Sequence, residues 1–114
     1  TVAEGMLAPS LDAVTDRQSR MFRSFAQQSK SDLEALAACI RGTRQTLTPQ
    51  QVATIKTPVL VAAGTEDDIA GSAEELAALI PGAQALPIPG RDHMLAVGDK
   101  VYKAGVLDFL NQRA

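Results

Sequence analysis

Length, composition and charge already exclude several functional classes. The chain has 114 residues, 46% of them apolar, and a formal net charge of −2 at pH 7. This composition is typical of a soluble globular domain, and scattered Lys and Arg with few aromatic residues argue against a nucleic-acid partner. Since no apolar run approaches the ~20 residues of a membrane-spanning helix and no signal peptide is evident, we expect no membrane partner.

Residues 1–48 are predicted to form a helical segment after an irregular lead-in at residues 1–14. One helix should begin after an N-cap at Thr15, and a second should run from an N-cap at Ser31 to Gly42. The predicted inward stripe of the first is Gln18, Phe22, Phe25 and Ala26, and that of the second is Leu33, Leu36, Ala37 and Ile40. The single cysteine, Cys39, is predicted to be a small core residue, which fits a reducing, cytoplasmic compartment.

Residues 49–114 follow a different pattern, that of an α/β domain. After a short helix capped by Thr48, the continuously apolar run 59–63 predicts a strand buried on both faces. A helix capped by Ser72 and an edge strand at 85–88 follow, and the last helix spans about 99–112. The inward residues are predicted to be Leu76, Ala77, Leu79 and Ile80 in the first of these helices, and Tyr102, Val106, Phe109 and Leu110 in the last. The order strand, helix, strand, helix predicts a parallel pair of strands with flanking helices.

Two strands are fewer than the roughly three that a stable sheet usually needs. The run 59–63 therefore calls for neighbouring strands that this sequence does not contain. We expect the exposed strand edge to associate either with a missing N-terminal half or with a second copy of the chain.

Two predicted loops carry the residues whose side chains could take part in catalysis, and each loop follows a strand. The loop at 64–68 holds Asp67, and the loop at 89–94 holds His93, the only histidine. Since the carboxyl ends of parallel strands lie at the same sheet edge, the two side chains should meet there. A carboxylate that accepts a hydrogen bond from one imidazole nitrogen fixes the tautomer that leaves the other nitrogen able to take a proton.

Simpler roles compete with this interpretation. Asp67 could close a turn, Asp68 is the adjacent candidate acid, and Glu66 with both aspartates could bind a hard cation such as Mg²⁺. Arg91 and Asp92 could pair with each other or restrict entry to the site.

Sequence motifs make the catalytic interpretation more specific. Residues 55–67 resemble the I-x-x-P-x-L-x-x-x-G-x-x-D segment of α/β-hydrolases, which ends at the acid of the catalytic triad. Residues 80–83 and 88–93 are similar to the family's I-P-G-A and I-P-G-x-x-H segments, which end at the triad histidine. The resemblance covers about residues 49–112 and implies that residues 1–48 are the end of the sixth strand and a helical cap. It implies Asp67 and His93 as catalytic residues, no cofactor, and a small ester-like substrate.

The third member of a triad is missing from the sequence. The family order is nucleophile, acid, histidine, but no serine here lies in a G-x-S-x-G elbow. The resemblance thus predicts the C-terminal portion of an α/β-hydrolase that is inactive by itself. The alternative is a non-catalytic α/β module that binds a ligand or a protein.

Overall fold

The computed structural model describes residues 2–42 and 45–113 and has a mixed α/β composition. Within these residues it contains six α-helices and one parallel sheet of two strands. The chain divides between Thr46 and Leu47 into two compact units. Among the described residues, no helix combines the length and the apolar character needed to cross a membrane.

The first unit is helical from Val2, its first described residue. Helix α1 (Val2–Leu7) packs against α2 (Arg17–Gln28) and α3 (Leu33–Gly42), with a 3₁₀ turn at Leu11–Ala13. The core consists of Ala3, Met6, Ala26 and Ala37. The predicted irregular lead-in is wrong for residues 2–7, because close packing outweighs the low helix propensity of Gly5. A Cβ at Gly5 would lie 3.1 Å from that of Ser19, so α1 and α2 need a small residue there.

Helix α2 confirms only half of its predicted inward stripe: Ala26 is in the core and Phe22 packs against it. Asp16, not Thr15, is its N-cap, and its carboxylate accepts hydrogen bonds from the Ser19 N–H (2.9 Å) and hydroxyl (2.8 Å). The buried residues are Ser19, Arg23 and Ala26, while Gln18 and Phe25 are exposed. Two polar side chains occupy the buried face because each finds hydrogen-bond partners inside the unit.

Helix α3 confirms its predicted stripe. Ala37 is buried, and Leu33, Leu36 and Ile40 pack against the same core. The N-cap is Asp32 rather than Ser31, since its Oδ1 accepts the Ala35 N–H at 3.1 Å. Cys39 is exposed, so its predicted core position is wrong. Cys39 lies two residues after Ala37, and this spacing corresponds to a rotation of about 200° around the helix axis. Cys39 is therefore on the opposite face of the helix.

The second unit contains the sheet. The elements are α4 (Pro49–Val52), β1 (Leu60–Gly64), α5 (Ala73–Leu79), β2 (Gln84–Ile88) and α6 (Lys100–Asn111), with a 3₁₀ turn at Ala96–Gly98. The strands are parallel, as predicted, with Leu60 opposite Gln84 and Gly64 opposite Ile88. Thr48 and Ser72 cap α4 and α5 as expected.

Burial in this unit is shallower than predicted. Four of the five residues of β1 are only half-buried, because β1 pairs with β2 alone among the described residues. The predicted inward residues Leu76, Leu79 and Leu110 are 44%, 42% and 56% exposed. A two-stranded sheet is too narrow to cover the full apolar stripe of a helix. The expected association through the strand edge stays a prediction.

Candidate active site

Asp67 lies just beyond β1 and uses both carboxylate oxygens. Its Oδ1 accepts hydrogen bonds from the backbone N–H groups of Ile69 and Ala70, both at 2.8 Å. Its side chain is only 4% exposed. Asp67 therefore does close a turn, but only its Oδ1 is used for this, and Oδ2 can accept a hydrogen bond from another residue.

That partner is His93, which lies beyond the end of β2. The distance from His93 Nδ1 to Asp67 Oδ2 is 2.9 Å, and the imidazole is 37% exposed. The structure thus brings together the two residues that the sequence placed at one sheet edge.

The charge state of Asp67 determines which atom of the Asp67–His93 contact carries the proton. Burial by itself raises the pKa of Asp67, but hydrogen bonds from Ala70, His93 and Ile69 outweigh it and hold that pKa below the ordinary 3.8. The carboxylate is therefore ionised at neutral pH and can only accept hydrogen bonds. The proton of the contact consequently belongs to Nδ1, and this tautomer carries the imidazole's basic lone pair on Nε2.

The two loops are hydrogen-bonded directly to each other. The N–H of Thr65 donates to the carbonyl oxygen of Ile88 at 3.0 Å, and the N–H of Glu66 donates to that of Arg91, also at 3.0 Å. In the opposite direction, the Gly90 N–H donates to the Thr65 hydroxyl at 2.8 Å. The separation of Asp67 and His93 is therefore set by contacts between their loops as well as by the strands.

Arg91 and Asp92, the two residues before His93, do not form the ion pair with each other that the sequence allows. The Nε of Arg91 lies 2.8 Å from Oδ2 of Asp99, the N-cap of α6. Hydrogen bonds, first from Arg91 and then from the Val101 N–H, lower the pKa of Asp99. Asp92 instead accepts two backbone N–H groups of the following turn through Oδ1. The sequence predicts that the last helix begins near Asp99, but it does not indicate that Asp99 pairs with Arg91.

The cation-binding alternative finds no support in this geometry. Both oxygens of Asp67 are engaged by protein donors, and Asp68 is exposed. Within residues 2–42 and 45–113, no three His, Cys, Asp or Glu side chains come together as metal ligands would.

A cleft of about 260 Å³ adjoins the acid loop. Its lining includes Thr65, Asp67, Ser72, Glu74 and Pro87. His93 is not among the residues that line it.

The low pKa of Asp67 predicts how stability depends on pH. A carboxyl whose pKa is lower in the folded than in the unfolded state, where it is about 3.9, stabilises the fold above that value. The contribution disappears as the pH falls through the folded pKa. We therefore expect Asp67→Asn to destabilise the protein at neutral pH and the difference from wild type to shrink on acidification below about pH 4. Urea unfolding across that range measures it, and a pH-independent difference would contradict it.

Comparison with protein-family models, curated proteins and solved structures finds no match for this chain. The assignment of a function consequently depends on the geometry of Asp67 and His93 and on the motifs around them.

Proposed function

We propose that this chain forms the acid and base portion of an α/β-fold hydrolase that cleaves ester or similar small substrates by nucleophilic catalysis. The single observation that supports it most is the 2.9 Å contact between His93 Nδ1 and Asp67 Oδ2. Both residues follow parallel strands, at the sheet edge where catalytic groups collect in open α/β folds. The mixed α/β composition is compatible with this family.

In this proposal Asp67 orients and His93 transfers protons. The ionised Asp67 holds the imidazole in the Nδ1–H tautomer and stabilises the imidazolium that forms during reaction. His93 takes the proton of the nucleophile through Nε2 and later gives it to the leaving group. The partial exposure of His93, 37% of its side chain, lets a nucleophile and a substrate approach the ring.

The nucleophile and the oxyanion donors must come from another polypeptide segment. No serine of this sequence has the G-x-S-x-G context in which a nucleophile is presented at a strand-to-helix turn. A serine in such an elbow, placed within hydrogen-bond distance of His93 Nε2, would complete the triad. The proposed chemistry requires no cofactor, and the fold does not select among small substrates.

The proposal predicts different activities for the chain and for a complete hydrolase. The 114-residue chain should hydrolyse p-nitrophenyl acetate no faster than free imidazole at equal concentration, because it lacks nucleophile and oxyanion donors. A longer protein that carries a nucleophile elbow before Thr1 should turn over this ester, and His93→Ala should remove its activity. Release of p-nitrophenol measures both rates.

Two results would overturn the proposal. One is fast hydrolysis by the 114-residue chain that survives His93→Ala. The other is an inactive longer protein, which would favour the non-catalytic binding module instead.

A further inference from the structure

Gly64, the last residue of β1, lies directly against the backbone of the histidine loop. A Cβ built at Gly64 would overlap the carbonyl oxygen of Arg91 and lie 2.6 Å from its carbonyl carbon. It would also lie 3.2 Å from the carbonyl oxygen of Asp92, the residue before His93. Both obstacles are backbone atoms, so a side chain at position 64 cannot be accommodated by rotation of a neighbouring side chain.

The φ angle of Gly64 lies outside the left-handed region, where Gly71, Gly82 and Gly90 are found. Glycine is therefore needed at position 64 for close approach and not for its backbone conformation. The loops touch where the Glu66 N–H donates to the Arg91 carbonyl oxygen at 3.0 Å. One residue away, the Thr65 hydroxyl accepts the Gly90 N–H at 2.8 Å.

From this arrangement we infer that Gly64 and Thr65 are positioning residues, which set the Asp67–His93 distance by fixing the acid loop against the histidine loop. The catalytic consequence rests on the proposed function, whereas the structural consequence can be measured without it. Neither residue touches the reacting atoms. Gly64 acts by the absence of a side chain, and Thr65 by the hydrogen bond that it accepts.

Gly64→Ala should push the Arg91 backbone away and separate Asp67 from His93. A misplacement of about 1 Å in a catalytic group can cost on the order of 100-fold in rate. In the complete hydrolase we expect a loss of about that size in kcat, with KM nearly unchanged. Thr65→Val should have a smaller effect of about fivefold, the value of one typical hydrogen bond, and Thr65→Ser should restore the rate.

The direct test is the proton NMR signal of His93 Nδ1–H in the 114-residue chain, which contains one histidine and needs no further assignment. A hydrogen bond to a carboxylate shifts this signal far downfield and slows its exchange with water. The wild type should show it, and Gly64→Ala should lose it.

Two glycine variants serve as matched controls. Gly98→Ala adds a methyl group into open space, with no heavy atom within 4 Å. Gly105→Ala adds a methyl group against the flexible side chain of Leu86. It therefore shows whether a steric clash away from Asp67 and His93 also changes the signal. Both should keep the downfield signal.

A folded Gly64→Ala variant that retains the signal would overturn the inference. If Gly64→Ala does not fold, the comparison of Thr65→Val with Thr65→Ser decides. Faster proton exchange in the Val variant alone supports the inference, and equal exchange in both overturns it. Failure of the proposed function would look different, since an inactive longer protein would leave these signals unchanged.

Discussion

Under the proposed function, Asp67→Asn in a longer protein that supplies the nucleophile should lower kcat about 10⁴-fold, as loss of the triad acid does in serine proteases. The amide removes the negative charge that His93 Nδ1–H contacts at 2.9 Å. Its NH₂ group can also donate to Nδ1, which would favour the tautomer with the proton on Nε2. An imidazole in that tautomer cannot accept the proton of the nucleophile. Steady-state kinetics with p-nitrophenyl acetate measure the loss.

Asp68→Asn is the matched control, since it makes the same chemical change one residue further on. Asp68 is exposed, whereas the Asp67 side chain is almost fully buried against its donors. We expect the control to cost far less activity. A larger loss from Asp68→Asn than from Asp67→Asn would show that the acid has been assigned one residue too early.

A large effect on stability is expected at Arg23, which is 5% exposed in the first unit. Its Nη1 donates to the carbonyl oxygens of Gly5 and Ala8, both at 2.8 Å, near the C-terminus of α1. Its Nε donates to Gln27 Oε1 at 2.6 Å. Arg23→Met keeps much of the apolar volume but leaves these acceptors without their donor. Each unsatisfied buried group costs about 1–3 kcal/mol, so we expect a loss on the order of 3 kcal/mol.

Hydrogen exchange of the backbone amides in α1, α2 and α3 measures this loss locally. Arg17→Met is the control, because Arg17 is the exposed first residue of α2. An exposed substitution of this kind usually changes stability by less than about 0.5 kcal/mol. Equal protection in the two variants would mean that Arg23 does not hold α1 in place.

Local signals in the sequence predicted much of the second unit. The Thr48 and Ser72 caps depend only on a side chain and an N–H three residues later, and both are present. The parallel pairing of the strands followed from the intervening helix, and it places Asp67 and His93 at one edge. Their catalytic role remains a prediction.

Features that depend on tertiary contacts were not predictable in the same way. Hydropathy ranks Phe25 above Arg23 as a core residue, yet Phe25 is 56% exposed and Arg23 is buried. The carbonyl groups that Arg23 binds lie 15 to 18 positions away in the chain. The Gly64 contact likewise joins two loops whose distance no local pattern encodes. Leu110 was predicted inward from its spacing, but the narrow sheet leaves it exposed.

A double-mutant cycle on Asp67 and His93 in the proposed longer hydrolase tests most directly whether the two residues act as one catalytic unit. Turnover of p-nitrophenyl acetate would be compared for wild type, Asp67→Asn, His93→Ala and the double variant. In a unit of this kind the losses are strongly non-additive, so the double variant should be about as slow as His93→Ala alone. Losses that multiply in the double variant would contradict the account, because they would show that Asp67 and His93 act independently.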